Sequence, residues 1–124
     1  MKKKDIIKKL DKLGYNREDF WVLTGAAMVL YGIKPETGDV DLGCNKVLAD
    51  ELEKKYTPYI SVTGKRGFRI NDEVEVYEDW LVDKIEKVEG IQVISIDGLL
   101  KMKEELGREK DQKDILLIRE FLNK

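Results

Sequence analysis

Histidine is absent from this 124-residue sequence, and cysteine occurs once, at Cys44. Without an imidazole the chain has no His-based general acid or base, no catalytic triad that uses histidine, and no zinc site that needs a His ligand. A lone cysteine forms neither an internal disulfide nor a multi-thiolate metal site. Carboxylates, with 25 acidic residues, are therefore the plentiful group for catalysis and metal binding.

Long apolar runs and an excess of one charge are also missing. No run approaches the roughly 18 apolar residues that span a bilayer, and residues 1–5 lack the apolar stretch of a signal peptide. The 23 basic and 25 acidic residues leave a formal net charge of -2, so nucleic-acid binding stays open only as a local feature. We expect a cytoplasmic protein without membrane contact, with one domain over residues 1–124.

Helical and strand patterns alternate in the first half of the chain. Apolar residues at helical spacing or in short buried runs predict helices over residues 3–13, 26–31 and 46–55. Runs of β-forming or alternating residues predict strands over residues 20–23 and 39–44. This alternation favours helices packed against a sheet.

Strand patterns cluster in the second half. Strands joined by tight turns are predicted over residues 59–62, 68–70, 73–77 and 91–95, whereas residues 81–90 are ambiguous. Two more helices are expected, one from about Gly98 capped by Asp97 and one capped by Asp111. The order of elements predicts an α/β (α+β) fold, a mixed β-sheet flanked by helices in a single domain.

Three acidic residues fall on predicted strands from which they could converge. Asp39 and Asp41 share one face of the strand over residues 39–44, and apolar residues occupy its other face. Glu75 has the same relation to the valines of a later strand. Such carboxylates could hold one or two Mg²⁺ or Mn²⁺ ions, which bind carboxylates together with substrate phosphates. A charged, solvated strand is the alternative.

A glycine turn precedes the acidic strand. Thr24, Gly25 and Ala26 follow a predicted buried strand and lead into a predicted short helix. Gly25 lets the backbone approach a ligand closely, and free backbone N–H groups at a helix start favour an anion such as a phosphate. A lone glycine before a helix is also common as a simple tight connection.

The order of these features resembles the DNA-polymerase-β-like nucleotidyltransferase superfamily. The matching residues are Gly25-Ala26, then Asp39-Val40-Asp41-Leu42, then the later acid Glu75. The stretch from Tyr31-Gly32 through Thr37-Gly38-Asp39 looks like the small bacterial and phage members of the abortive-infection toxin and lincosamide nucleotidyltransferase type. Their later Lys-Asp-x-x-Asp-Ile stretch is matched by Lys110-Asp111-Gln112-Lys113-Asp114-Ile115, which also reads as a capped helix start.

The resemblance implies a nucleotidyltransferase-like fold and a metal-dependent nucleotidyltransferase reaction. Asp39 and Asp41 would ligate Mg²⁺ or Mn²⁺ bound to a nucleoside triphosphate, and Glu75 would join them at a second metal while helping to deprotonate the attacking hydroxyl. The residues expected on the phosphate side are Thr24, Gly25, Ala26 and Lys34. The resemblance also implies a toxin–antitoxin-like context, and it leaves open whether the acceptor is a protein, an RNA or a small molecule.

Two features keep other functions open. Ala26 stands where the relatives commonly carry serine or glycine, and the chain leaves little length for a lobe that clamps an acceptor. A partner protein or a homodimer could supply that lobe. The alternatives are a degenerate nucleotidyltransferase-fold protein that binds nucleotide or protein without catalysis, and a plain interaction domain. Tyr77 could stack a base or pack in the core, and Lys65 and Arg66 could contact phosphate or only solubilise a turn.

Overall fold

The chain forms five α-helices and seven β-strands, and the computed structural model describes all of its residues, Met1–Lys124. The helices are α1 (Lys3–Leu13), α2 (Thr24–Leu30), α3 (Lys46–Glu53), α4 (Ile96–Leu106) and α5 (Glu109–Leu122). The strands are β1 (Phe20–Leu23), β2 (Val40–Cys44), β3 (Tyr59–Ile60), β4 (Arg66–Arg69), β5 (Val74–Glu78), β6 (Ile85–Val88) and β7 (Ile91–Ile94). None of the helices has both the length and the apolar character required to cross a membrane.

All seven strands join one mixed sheet in the order β3-β4-β5-β2-β1-β7-β6. β2 runs parallel to β5 and β1 runs parallel to β7, while the other neighbouring strands are antiparallel. The parallel pairing places Asp41 of β2 directly beside Glu75 of β5, although the two lie far apart in the chain. The predicted mixed sheet flanked by helices is confirmed.

One contiguous core of 26 buried residues fixes the central strands. β1 is buried along its whole length, and Val40 and Leu42 of β2 are fully buried, as the alternation predicts. Apolar burial of this kind contributes about 25 cal/mol per Å², so it holds the central strands in fixed positions. Asp41 lies on the opposite face of β2 from Val40 and Leu42, and its backbone is fixed by their burial.

α2 and α4 begin earlier than the sequence patterns predict. α2 begins at Thr24 instead of Ala26, because Thr24 turns the chain directly from β1 into the helix with φ at 49°. The predicted cap of α4, Asp97, lies inside that helix. Ser95 is the true cap, because its Oγ accepts the N–H of Gly98 at 3.0 Å.

The cap predicted for α5 is also wrong in position. α5 begins at Glu109, directly after Arg108, and Asp111 is its third residue. From inside the helix the Asp111 carboxylate accepts the backbone N–H of Arg108 at 3.2 Å. Asp111 therefore still satisfies a donor that the first turn leaves unpaired, but as the inner partner of the cap.

β4 begins two residues earlier than the strand predicted over residues 68–70, and two other strand predictions change more. The strand predicted over residues 59–62 shortens to β3, because Ser61 enters a turn in which its N–H donates to the carbonyl of Lys65 at 2.8 Å. The ambiguous residues 81–90 contain β6. β6 pairs with β7, and the two strands are joined by a turn at Glu89 and Gly90. Both turn residues adopt positive φ, as in the hairpin turns that match the twist of the strands.

Candidate active site

Charged side chains form a row across three neighbouring strands. Asp41 of β2 pairs in register with Glu75 of β5, and Glu75 pairs with Arg69 of β4. Paired residues on adjacent strands point to the same face of a sheet, so these three side chains lie side by side. Asp39 is exposed and lies on the loop immediately before β2, because that strand begins at Val40 and not at Asp39 as predicted.

This row opens onto a cavity of about 490 Å³, a size that suits a small ligand. The cavity is lined by residues of the start of α2, the loop before β2, the strands β2 and β5, and the corner between α4 and α5. They are Thr24, Gly25, Lys34, Thr37, Asp39, Asp41, Glu75, Tyr77, Lys103, Arg108, Lys110, Asp111, Lys113, Asp114 and Leu117. Five of these are basic and five are acidic, so the cavity suits a strongly polar ligand.

Thr24 holds Asp41 in place from the start of α2. Its Oγ1 donates a hydrogen bond to Oδ2 of Asp41 at 2.8 Å. The positive φ of Thr24 is rare and strained for a β-branched residue, and such strain persists only where the surrounding structure enforces it. In this case the strained conformation brings the hydroxyl to the carboxylate.

A side chain at Gly25 would have to displace the side chain of Thr37. A Cβ at this position would lie 2.8 Å from Oγ1 of Thr37, which belongs to the loop before β2 and also lines the cavity. The glycine therefore lets the loop that carries Asp39 approach α2 closely. Ala26, which the sequence groups with Gly25 on the phosphate side, is fully buried and does not line the cavity.

The position of Asp41 disfavours the ionised form of its carboxyl. Burial raises the pKa of its carboxyl above the ordinary value, and the charges of Asp39 and Glu75 raise it further, while the hydrogen bond from Thr24 lowers it. Asp39 also lines the cavity, and its carboxylate forms no hydrogen bond or ion pair with another residue. A cation bound between Asp39 and Asp41 would relieve this repulsion.

Glu75 is held by three donors. Its Oε2 accepts hydrogen bonds from the hydroxyls of Tyr59 at 2.5 Å and Tyr77 at 3.2 Å, and its Oε1 accepts one from Nη1 of Arg69 at 2.7 Å. Burial and the bond to Glu75 raise the pKa of Tyr59 to about 12. The carboxylate of Glu75 is therefore oriented by donors from β3, β4 and β5.

The corner between α4 and α5 forms the opposite wall. Nζ of Lys103, a buried lysine, lies 3.3 Å from Asp111 and 3.1 Å from Asp114. Nε of Arg108 donates to Asp111 at 2.7 Å, and Arg108 and Lys103 together lower the pKa of Asp111 to about 2. Lys34, predicted on the phosphate side, reaches this wall through an ion pair with Asp114 at 3.1 Å.

Two further lysines extend this wall towards solvent. Lys110 and Lys113, in the first half of α5, are exposed, line the cavity and form no ion pair with the chain. Their charges are therefore available to an anion. Because they face a cavity that also contains Asp39 and Asp41, the ligand that satisfies both walls is a polyanion together with a cation.

Asp39, Asp41 and Glu75 all line the cavity, and the metal site predicted for them stays a prediction. No three His, Cys, Asp or Glu side chains lie close enough together to hold a metal ion by themselves. Mg²⁺, however, is commonly bound by only one or two carboxylates, with waters and substrate phosphates completing its shell. Asp39 and Asp41 fit that pattern, whereas the oxygens of Glu75 are already engaged by protein donors.

The sequence patterns gave little sign of the basic wall, the side of the cavity formed by Lys103, Arg108, Lys110 and Lys113 at the corner between α4 and α5. Lys103 could have been found, because it follows Met102 on the apolar stripe of α4, and a lysine is almost never fully buried without a partner. Lys65 and Arg66, considered as phosphate contacts, lie outside this cavity. Arg66 instead forms a two-pronged ion pair with Glu78, at 2.8 and 2.9 Å.

The fold is shared with a solved structure. No family model matches the chain, and no curated protein matches it. A crystal structure from Thermotoga maritima, described as a "putative nucleotidyltransferase", is similar over 99% of this chain and 96% of that chain, with a TM-score of 0.64 and 20% identity. The abortive-infection and lincosamide types are not distinguished by this likeness and stay a prediction. At this level of identity the likeness concerns the fold, and the chain has a nucleotidyltransferase-like fold.

Proposed function

We propose that this chain is a divalent-metal-dependent nucleotidyltransferase, which moves a nucleoside monophosphate from a nucleoside triphosphate to a hydroxyl group. The observation that carries the proposal is a single cavity with Asp39 and Asp41 on the strand side and the unpaired Lys110 and Lys113 on the helix side. Nucleotidyl transfer depends mainly on positioning and charge stabilisation, which such a cavity offers without a histidine.

We assign Asp39 and Asp41 to the divalent ion. Asp41 is fixed by Thr24, and Asp39 is free of other partners, so both present oxygens to the cavity. Mg²⁺ or Mn²⁺ bound there would orient the triphosphate and stabilise the charge that develops on the pyrophosphate leaving group.

We assign Glu75 to the proton of the attacking hydroxyl. It lies beside Asp41 and already accepts hydrogen bonds from two hydroxyl groups, which is the geometry of a carboxylate that takes a hydroxyl proton. To serve as a ligand of a second metal, as the resemblance implies, it would have to exchange one of its present donors.

The phosphates would face the basic wall. Lys110 and Lys113 carry no ion pair and can bind the phosphates, whereas Arg108, which lines the same cavity, is already paired with Asp111. Gly25 allows the chain to approach the phosphates from the other side. The acceptor would enter from solvent, on its own or carried by a partner protein or a second copy of the chain.

A labelling experiment tests this function. The purified chain is incubated with each α-labelled nucleoside triphosphate, Mg²⁺ or Mn²⁺, and a cell extract that supplies acceptors. We expect label in an acceptor, and we expect Asp39→Asn or Asp41→Asn to reduce transfer by roughly 100-fold or more, because each removes a metal ligand.

Asp72→Asn is the matched control, because Asp72 is an exposed acid outside the cavity. Transfer that survives both Asp39→Asn and Asp41→Asn would contradict the assignment of the site. Nucleotide binding without any transfer would favour the alternative of a degenerate nucleotide-binding module.

A further inference from the structure

Tyr59 is the exposed tyrosine of this chain, and its hydroxyl contacts Glu75 at the edge of the site, although Tyr59 itself does not line the cavity. The other four tyrosines are partly buried, whereas Tyr59 is 41% exposed. Its Oη lies 2.5 Å from Oε2 of Glu75, the carboxylate to which we assign the proton of the attacking hydroxyl. A hydroxyl group therefore already occupies the position at which an acceptor hydroxyl would meet that carboxylate.

A glycine on the neighbouring strand allows this approach. Tyr59 pairs with Gly67 of β4, and Gly67 pairs with Tyr77 of β5. A Cβ on Gly67 would lie 2.7 Å from both Cε2 and Cζ of Tyr59, so the tyrosine ring lies across the backbone of Gly67. With no side chain at that position, Tyr59 reaches across β4 to Glu75.

The other hydroxyl groups beside Glu75 and Asp41, which line the cavity, are more constrained. Tyr77 also bonds to Glu75, but it lies on a central strand and packs edge-on against Trp80, with ring centroids 4.9 Å apart. Thr24 is buried and bonds to Asp41. Tyr59 instead lies on β3, a two-residue strand at the edge of the sheet, where its ring can move without disturbing the core.

We propose that Tyr59 is an acceptor, and that this chain transfers a nucleoside monophosphate to its own Tyr59 hydroxyl. The proposal rests on the nucleotidyltransferase function proposed above. Oη of Tyr59 attacks the α-phosphorus of the nucleoside triphosphate, and a new O–P bond forms. The bond between the α-phosphorus and the oxygen bridging to the β-phosphorus breaks, pyrophosphate leaves, and Glu75 accepts the phenolic proton.

Intact-protein mass spectrometry tests the proposal. The full chain is incubated with each nucleoside triphosphate and Mg²⁺ or Mn²⁺, without extract, and the modified residue is mapped by peptide fragmentation. We expect the added mass of one nucleoside monophosphate, located on Tyr59. Tyr59→Phe keeps the ring over Gly67 and should abolish the added mass, while Tyr56→Phe, which removes the hydroxyl of a tyrosine that does not contact Glu75, should retain it.

The outcomes separate this proposal from the function on which it rests. An unmodified Tyr59, in a chain that transfers label to other acceptors in the extract, would overturn the self-modification and leave the transferase function in place. Added mass that persists in Tyr59→Phe would also overturn it. A chain that neither modifies itself, nor labels an acceptor, nor binds nucleotide with Mn²⁺ in calorimetry would overturn both.

Discussion

Asp41 combines a structural disadvantage with a proposed function. Because burial and its acidic neighbours raise the pKa of its carboxyl, the ionised form of Asp41 destabilises the folded chain at neutral pH. This penalty is absent below the ordinary carboxyl pKa of 3.8, where Asp41 is protonated in both states; it grows as pH rises from there to the higher folded-state pKa and is constant above that. A carboxylate placed at such a disadvantage is typical of functional sites.

Asp41→Asn should therefore stabilise the metal-free chain at pH 7. We expect a gain of about 1 kcal/mol, or roughly 3–6 °C in melting temperature, that disappears below about pH 4. Mn²⁺ with a nucleoside triphosphate should raise the melting temperature of the wild type and have no effect on the variant. Thermal unfolding of both chains across pH, with Asp72→Asn as the control, measures this. A variant that melts below the wild type at pH 7 would contradict the explanation.

The variant Gly25→Ala tests whether nucleotide affinity depends on the close approach of the loop before β2 to α2. Gly25→Ala places a methyl group against Oγ1 of Thr37, and the threonine side chain can rotate away without unfolding the chain. We expect a stable protein whose nucleotide affinity falls by about 1 kcal/mol, roughly fivefold. Gly38→Ala is the control, because open space surrounds Gly38 on the same loop. Equal affinities of the two variants in calorimetry would count against a ligand at Gly25.

The corner between α4 and α5 depends on buried ion pairs. Lys103 is 5% exposed and Asp111 is 1% exposed, so each would be costly to bury without the other. Removal of one partner should loosen the wall that faces the carboxylates. The ion pairs thus connect the stability of two helices to the shape of the cavity.

Asp111→Asn should lower the free energy of unfolding by about 2 kcal/mol at pH 7. The pKa of Asp111 is lowered to about 2, so its stabilisation is fully present above the ordinary value near 4 and is lost as pH falls towards 2. The difference between wild type and variant should be constant from pH 5 to 7 and shrink at pH 3, as measured by urea unfolding. Asp97→Asn, at an exposed position of α4, should cost under about 1 kcal/mol. A difference that grows at low pH would contradict the assigned role.

Helices and strands with a strong apolar pattern were predictable from the sequence, whereas the first residues of α2 and α4 were not. α1 and β1 match their predicted bounds, because an apolar stripe and a buried run each determine one element. The start of α2 was missed because Thr24 adopts a backbone conformation that its residue type disfavours. Ser95 and Asp97 are both good capping residues, and only the path of the chain decides between them.

The candidate site was predictable on one wall only. Alternation along β2 places Asp41 opposite the core, and a parallel pairing that no local pattern encodes then brings Glu75 beside it. The basic wall comes from helices near the end of the chain, whose contact with the cavity depends on how they pack. The sequence therefore showed residues 110–115 only as a match to the relatives and as a capped helix start, and it gave no sign that Lys103 or Arg108 faces the site.

Cys44 offers a probe of the whole chain, since it is the sole thiol and is fully buried. Burial raises its pKa to about 12, so the native protein presents almost no reactive thiolate. Alkylation with iodoacetamide at pH 8 should therefore be slow in the native state and should accelerate in step with unfolding as urea is added. Rapid alkylation of the native chain, detected by mass spectrometry, would contradict the packing of β2.

The central claim is that the two walls of one cavity bind a divalent cation and a triphosphate together. The most direct test is a crystal structure with Mn²⁺ and a non-hydrolysable nucleoside triphosphate, using the anomalous signal of manganese. We predict a manganese peak within about 2.2 Å of oxygens from Asp39 and Asp41, with the triphosphate facing Lys110 and Lys113. Manganese and nucleotide bound elsewhere, or neither bound at millimolar concentrations, would contradict the claim.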